Sequence, residues 1–146
     1  LLTMLSLTCK ASIKAVVFLG SKLASGERSS LKEVAAYTGE NEHTVGKLLQ
    51  RLVKSGIIQS AKGPRGGFFL TAEQAGQRVM RIVEAIDGAQ VFKQCGLGLS
   101  QCSDTHPCPF HEDYKPIREG LKQLCQGRRV RDLYEEVNSG LAHLVG

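Results

Sequence analysis

Three cysteines and one histidine lie close together in the second half of the chain. Cys95, Cys102, Cys108 and His111 follow the spacing C-x6-C-x5-C-x2-H. Thiolates are preferred ligands of iron–sulfur clusters and of zinc. Structural zinc sites usually contain pairs of cysteines about two to four residues apart, and this segment has no such pair. An open loop can surround an iron–sulfur cluster, which is wider than a single ion, so the spacing favours a cluster over zinc.

The residues alone determine neither the fourth ligand nor whether a metal is bound. Three cysteines provide one ligand fewer than a cluster usually has. His111, three residues after Cys108, is the first candidate for the fourth ligand, and His106 is the second. The alternatives are that both histidines are ordinary loop residues and that the three thiols form a redox switch without metal. Cys9 and Cys125 fall within helical patterns and are expected to be buried small residues.

The elements on either side of residues 88–111 must position these side chains. The segment has no hydrophobic periodicity, and a bound metal would explain so long an irregular loop in a small domain. Helical patterns cover 72–87 before it and continue from about residue 112 after it, with a last helix over 130–145. Apolar residues after the loop recur at alternating three- and four-residue spacing, which predicts a seam for a partner helix. They are Tyr114, Ile117, Leu121 and Leu124.

The first half of the chain predicts a helix-turn-helix followed by a hairpin. Ser30 and Asn41 are suitable N-caps for its second and third helices. Glycine and basic residues fill the loop between two short strand patterns. The predicted elements are helices over 8–24, 31–37 and 42–54 and strands over 57–61 and 68–70. This order is that of a winged helix.

The predicted fold is therefore mainly α with a small β-hairpin, a winged helix-turn-helix plus a long helix with a seam for a partner helix. The chain divides into three predicted parts. They are a winged helix-turn-helix domain (1–88), a cysteine-rich loop (89–111) and a helical region with the apolar seam (112–146).

The predicted third helix and the hairpin carry the residues expected to meet DNA. Residues at the start of a recognition helix meet base edges, whereas later ones meet phosphates. Basic residues on a hairpin tip suit a narrow minor groove or the adjacent backbone. The expected base contacts are His43, Thr44 and Lys47, the phosphate contacts Gln50, Arg51 and Lys54, and the wing contacts Lys62 and Arg65. The alternatives are that the polar face of the third helix only contacts solvent and that the hairpin is an ordinary basic turn. Because a helix-turn-helix is followed directly by a basic hairpin, DNA binding is the favoured interpretation.

Composition agrees with that interpretation. The 146 residues carry a net charge of +5 at pH 7, which favours polyanionic partners. No stretch approaches the roughly eighteen apolar residues of a membrane span, so a cytoplasmic protein without a membrane partner is expected. No paired acid and base, Ser–His–Asp set or phosphate-binding loop is recognisable, so an enzyme is not predicted. A wing that binds protein and a small electron-transfer protein are weaker alternatives.

These residues together resemble the Rrf2 superfamily of bacterial regulators, which includes IscR-, NsrR- and RirA-like proteins. The segments that carry the resemblance are Leu7 to Lys10, Leu31 to Ala35, Lys62 to Phe68, Ile82 to Gly88 and the three loop cysteines. It implies a homodimeric repressor on a palindromic operator, in which the long helix after His111 would be the dimerisation helix. The affinity of this repressor for DNA would depend on a 2Fe–2S or 4Fe–4S cluster, which exposure to air can remove. Through the cluster the protein would sense iron, redox or nitric oxide status. A metal-free thiol regulator with the same fold is the alternative.

Two departures from the resemblance bear on the site. The first cysteine gap, of six residues, lies between the shorter gap of IscR-like and the longer gap of RirA-like proteins. The C-x2-H ending looks IscR-like and favours His111. In NsrR-like proteins a carboxylate near the N-terminus of the partner subunit supplies the fourth ligand. The comparable stretch here, Cys9 to Ile13, contains no carboxylate, which counts against an NsrR-like site.

Overall fold

The computed structural model describes residues 4–145, so residues 1–3 and 146 of the predicted parts lie outside the description. The described residues form seven α-helices, one short 3-10 helix and one two-stranded sheet. In chain order these are α1 (Leu7–Ser21), α2 (Leu31–Thr38), α3 (Glu42–Lys54), β1 (Gln59–Ala61), β2 (Gly67–Phe69), α4 (Ala72–Ala75), α5 (Val79–Ile86), the 3-10 helix (Ala89–Phe92), α6 (His111–Gly127) and α7 (Val130–Asn138). The prediction of a mainly α fold with one hairpin is confirmed.

Helix α1 lies at the centre of the core and packs against α2, α3, α5 and α7. Most of its residues from Ala11 to Gly20 are buried, since it has neighbours on nearly every side. The approach to α7 is close because Gly20 has no side chain, and a Cβ there would collide with the ring of Tyr134. This central helix fixes the positions of α2 and α3 relative to the C-terminal half.

The helix-turn-helix is defined by local capping. The Ser30 side chain accepts a hydrogen bond from the Glu33 backbone N–H, and the Glu33 carboxylate accepts one from the Ser30 N–H, which starts α2. Gly39, with φ of 77°, ends α2 in the left-handed conformation that glycine adopts readily. Asn41 then caps α3 by accepting a hydrogen bond from the Thr44 N–H. The short turn follows directly from these residue types.

The hairpin is anchored to the segment before α2. Ser29 and Phe68 exchange two backbone hydrogen bonds of 3.0 and 2.8 Å, so the chain before α2 forms a bridge to β2. Gly67, with φ of 135°, allows this approach, because a Cβ there would lie 2.8 Å from the Ser29 carbonyl oxygen. Strand β1 is shorter than predicted because Ile57 and Ile58 are buried in the core, and β2 begins and ends one residue earlier than predicted, which leaves Leu70 in the core.

The helix predicted over 72–87 is two helices, α4 and α5. The Val79 N–H donates to the Arg128 carbonyl and the Val130 N–H to the Gln77 carbonyl, each at 2.9 Å. This pairing with a distant segment uses backbone groups that a continuous helix would need. The sequence gives no sign of it, because the partner lies about fifty residues away in the chain.

The two terminal helices are also shorter than predicted. The first ends at Ser21 rather than at Ala24. The last ends at Asn138 rather than at Val145, because Gly140 takes a left-handed φ of 81°. Among the residues that the structure describes, no helix has both the length and the apolar character needed to cross a membrane.

The irregular segment before α6 contains one regular element. The 3-10 helix buries Phe92 in the core and packs against α6. The remainder runs to His111 without a helix or strand, as predicted. The division into a DNA-binding domain, a cluster-binding loop and a dimerisation region stays a prediction.

Candidate metal centre and nucleic-acid interface

The three loop cysteines lie together. The Sγ atoms of Cys95, Cys102 and Cys108 are all within 4.8 Å of one another, and those of Cys95 and Cys108 are 3.4 Å apart. All three side chains are half-buried, and none forms a disulfide. We refer to these three residues as the cysteine group.

Helix α6 holds the start of the loop in place. The Arg118 guanidinium donates hydrogen bonds to the carbonyls of Lys93 and Gln94, at 3.3 and 2.7 Å. The backbone of Gly96 lies against the ring of Tyr114, where a Cβ would come within 2.9 Å of ring carbon. Cys95 sits between these two contacts. Its position in the cysteine group therefore depends on α6 as well as on the loop.

His111 joins the cysteine group at the first residue of α6. It is only 7% exposed, its Nδ1 is 3.2 Å from the Cys102 sulfur, and its Nε2 is 2.8 Å from Oδ1 of Asp104. His106, the second candidate, is exposed, and its backbone pairs with that of Ser103. Of the two histidines, His111 is the one with a ring nitrogen beside a cysteine sulfur.

Backbone N–H groups and neighbouring thiols shift the pKa values of residues in the cysteine group. Hydrogen bonds from the backbone N–H groups of Leu99 and Leu97 and from the other two thiols lower the pKa of Cys95 to about 7. The Cys108 N–H donates to the Cys102 sulfur at 3.4 Å, yet burial and the neighbouring thiols raise the pKa of Cys102. One sulfur of the group is therefore readily ionised near neutral pH.

The donor set fits an iron–sulfur cluster. It provides three sulfur ligands, one imidazole nitrogen beside them and backbone N–H groups directed at sulfur. Three sulfurs and one nitrogen also form a known structural zinc set. The arrangement of side chains is thus suitable for a thiolate-liganded metal centre.

Cys9 and Cys125 take no part in the cysteine group. Both are buried, at 0% and 2% exposure, as predicted. Burial and the nearby Asp87 carboxylate raise the pKa of Cys9 to about 12, and burial raises the pKa of Cys125. Both residues are therefore neutral thiols in the core.

A carboxylate and an amine beside His111 were not predicted. Oδ1 of Asp104 accepts from Nζ of Lys115 at 2.9 Å as well as contacting His111. Hydrogen bonds from these two residues hold the pKa of Asp104 at about 2. The four-residue interval between His111 and Lys115, which places them on one helix face, was the available signal.

The outer face of α3 carries most of the predicted DNA contacts. His43, Lys47, Gln50 and Lys54 are exposed, and Thr44 is half-buried. The opposite face is buried through Val45, Leu48, Leu49 and Leu52.

Arg51 differs from the other predicted contacts on α3. Its Nη2 donates to the carbonyls of Ala85 and Ile86, at 2.9 and 3.0 Å. The guanidinium thus contacts the end of α5, and its role as a phosphate contact stays a prediction.

Two basic residues lie on the hairpin and a third, Arg28, lies beside it. Lys62 and Arg65 are exposed, as expected of wing residues. Arg28 lies with its guanidinium 4.5 Å from the centre of the Phe69 ring and donates to the Arg65 carbonyl at 3.4 Å. Arg28 was not predicted as a wing residue, since only the bridge between Ser29 and β2 brings it to the wing.

Comparison with known proteins identifies the family. Residues 5–136 match the model of Rrf2, described as an iron-dependent transcriptional regulator. The chain belongs to the Rrf2 family. This confirms the resemblance inferred from the motifs. Members of this family are described as transcriptional regulators, which agrees with the predicted class of function.

One relative has a name that agrees with a transcriptional regulator. A protein of Aquifex aeolicus, provisionally named an HTH-type transcriptional regulator, is 30% identical over 89 residues. The match covers 60% of this chain and 62% of that protein, so the chain spans about three fifths of its length.

Two solved structures share the fold. CymR, the global cysteine regulator of B. subtilis, has a TM-score of 0.71 at 20% identity and covers 90% of this chain and 95% of its own. IscR of T. potens has a TM-score of 0.72 at 17% identity, and the match covers 94% of this chain and 90% of that protein. At these identities the two structures show likeness of fold alone.

Proposed function

We propose that this Rrf2 protein is a repressor that senses iron, redox or nitric oxide status through an iron–sulfur cluster. The observation that carries the proposal is the cysteine group, whose three sulfurs lie within 4.8 Å, with Nδ1 of His111 3.2 Å from one of them. The family description as iron-dependent regulators supports it. The proposed place of action is the cytoplasm.

In this proposal Cys95, Cys102 and Cys108 hold the cluster through thiolates, and His111 supplies the fourth ligand. A bound cluster would supply a centre whose oxidation state changes with electron transfer. The cluster would be lost when oxidants are present or when iron is scarce. The backbone N–H groups that reach the Cys95 and Cys102 sulfurs stabilise their ionised forms. Tyr114 and Arg118 keep the loop on α6, so a change at the sulfurs bears on that helix.

The proposed DNA contacts are those expected from the sequence apart from Arg51, whose guanidinium contacts the end of α5. His43, Thr44 and Lys47 would read bases, and Gln50 and Lys54 would contact phosphates. Lys62, Arg65 and the newly found Arg28 would contact the minor groove or the backbone from the wing. A homodimer would present two such surfaces to a palindromic operator, with half-sites about one helical turn or a multiple apart.

An anaerobic absorption spectrum of freshly purified protein, with iron and sulfide counted on the same sample, tests the cluster. We expect broad absorption near 400 nm and nearly equal iron and sulfide. Cys102→Ala should abolish most of this absorption, whereas Cys125→Ala, a cysteine outside the group, should retain it. A colourless wild-type protein that resists reconstitution would overturn the cluster.

Salt dependence tests the DNA surface. The affinity of the protein for duplex DNA should fall steeply as salt rises, because phosphate contacts release counterions. Lys54→Ala should reduce the slope of log affinity against log salt by about 1. Lys32→Ala, an exposed lysine on α2, is the matched control. A flat salt response in the wild type would contradict DNA recognition through this surface.

The 3.4 Å separation of the Cys95 and Cys108 sulfurs favours one second candidate, a metal-free thiol regulator. A peroxide would oxidise the two thiols to a disulfide, with two protons and two electrons passing to the peroxide to form water. This candidate predicts normal DNA regulation in protein that contains no iron. Metal analysis of the active protein separates the two functions.

A further inference from the structure

One carboxylate oxygen connects the buried histidine to a lysine on the same helix. Oδ1 of Asp104 lies 2.8 Å from Nε2 of His111 and 2.9 Å from Nζ of Lys115. His111 is 7% exposed, whereas the Asp104 side chain is 68% exposed. The buried ring therefore meets a carboxylate on one side and the cysteine group on the other.

The two nitrogens of His111 consequently have different tasks. A neutral imidazole carries its proton on one nitrogen and offers a lone pair on the other. An acceptor beside Nε2 stabilises the proton there. Nδ1, which is 3.2 Å from the Cys102 sulfur, is then the nitrogen free to bind metal. Hydrogen-bonded carboxylates commonly fix histidine ligands in this way.

The local fold holds Asp104 where the ring can reach it. Ser103 and His106 exchange two backbone hydrogen bonds of 3.1 Å, which close a tight turn around Asp104. Lys115 lies one helical turn after His111, so both residues of α6 face the same carboxylate. The contact thus depends on a closed turn and on one face of a helix.

A direct metal site on Asp104 is the competing interpretation. Asp104, His111 and Glu112 also have ligand atoms within 4.8 Å of one another. However, the Lys115 ammonium contacts the same Asp104 oxygen that would bind the ion. A positive group at that distance opposes a divalent cation. The carboxylate is better placed to orient His111 than to bind metal itself.

We propose that Asp104 is the positioning residue for the fourth cluster ligand: it holds the proton on Nε2 of His111, so that Nδ1 faces the cysteine group. Lys115 keeps the carboxylate in place. The inference rests on the proposed cluster-sensing function. It assigns a role to a residue outside the four ligands.

The tautomer of His111 in metal-free protein tests the geometry independently of any cluster. Nitrogen-15 NMR, recorded above the ordinary histidine pKa of about 6.5, reports which ring nitrogen carries the proton. We expect the Nε2–H form in the wild type and in Asp113→Ala, an exposed acidic control on α6. Asp104→Ala should give a mixture of both forms. A wild-type Nδ1–H form, or an unchanged tautomer in Asp104→Ala, would overturn the proposal.

Cluster loss to a chelator tests the consequence. Asp104→Ala should lose its cluster roughly 10- to 100-fold faster than the wild type. Asp104→Asn keeps an oxygen acceptor and should retain most of the stability. In a His111→Cys background, Asp104→Ala should have no effect, because no ring remains to be oriented. Equal acceleration in both backgrounds would mean that Asp104 only maintains the loop.

The outcomes separate this proposal from the function on which it rests. A loaded wild type whose Asp104→Ala variant loses the cluster at the wild-type rate would overturn the role of Asp104 alone. A wild type that takes up no iron or sulfide would overturn the cluster function, and the ligand assignment with it, even if the Nε2–H tautomer is found.

Discussion

Arg51 on α3 donates a hydrogen bond of 3.0 Å to the backbone carbonyl of Ile86, the last residue of α5. The carbonyls at a helix end have no partner within the helix and carry the negative end of its dipole. A guanidinium at this position satisfies them. Helix α5 leads directly into the segment that holds the cysteine group, so this contact connects the predicted DNA-reading helix with the start of the loop.

Replacement of Arg51 should therefore affect stability more than DNA binding. Arg51→Ala removes the hydrogen bonds to α5 and should lower the free energy of unfolding by about 1 kcal/mol. The slope of DNA affinity against salt should stay near that of the wild type. Thermal denaturation and a salt series of fluorescence anisotropy measure the two effects, with Lys54→Ala as the control that should change only the slope. A fall of about 1 in the slope for Arg51→Ala would show instead that Arg51 leaves α5 for a phosphate.

Gly46 in the middle of α3 offers a second stability test. Glycine in a helix costs about 1 kcal/mol relative to alanine. A Cβ at Gly46 would lie 3.7 Å from a Leu31 methyl carbon of α2, which is ordinary van der Waals contact. Gly46→Ala should thus raise the melting temperature by roughly 2–4 °C and leave DNA affinity unchanged. Weaker binding by the stabilised variant would show that DNA approaches this backbone closely.

The sequence predicted those features that depend on neighbouring residues. The capping residues Ser30 and Asn41 act within one helical turn, so both helix starts agree with the structure. The alternation of buried and exposed residues on α3 is likewise a local property. The cysteine spacing predicted a common site because a loop of fourteen residues has few ways to keep its thiols apart.

Long-range contacts account for what the sequence did not predict. The break after α4 depends on pairing between Gln77 and Val130, which no local pattern records. Arg51 has the right helical position to face solvent, but its long side chain reaches α5. In the sequence Asp104 has the features of an ordinary loop residue. Only the turn that begins at Ser103 brings its carboxylate to His111.

The cysteines should differ in their reactivity with pH in metal-free protein. With a pKa near 7, Cys95 becomes thiolate as pH rises through neutrality, and the thiolate is the nucleophile. Its alkylation rate should therefore be half-maximal near pH 7 and level off above about pH 8, whereas an ordinary cysteine, with a pKa of about 8.5, is half-ionised only at that higher pH. Cys9 and Cys125, buried and with raised pKa values, should react only after unfolding. Alkylation followed by peptide mass spectrometry measures each site.

Cys95→Ser provides the control for this experiment, since it should remove the fast component and leave the others. Fast labelling of Cys9 in the folded protein would contradict its position in the core. A Cys95 rate that still climbs well above neutral pH would contradict the hydrogen bonds assigned to its sulfur.

The exposed apolar positions of α6 predict where a second copy binds. Ile117 and Leu124 are each 56% exposed and lie two helical turns apart on one face. Burial of that face against a partner helix would remove both side chains from water. Ile117→Asp should therefore convert the proposed homodimer to a monomer in sedimentation, whereas Gln123→Asp, on another face of α6, should not. Because a dimer engages two half-sites at once, the monomeric variant should bind a palindromic duplex at least about tenfold more weakly. A wild type that sediments as a monomer would reject the dimer, and a dimer unaffected by Ile117→Asp would place its interface elsewhere.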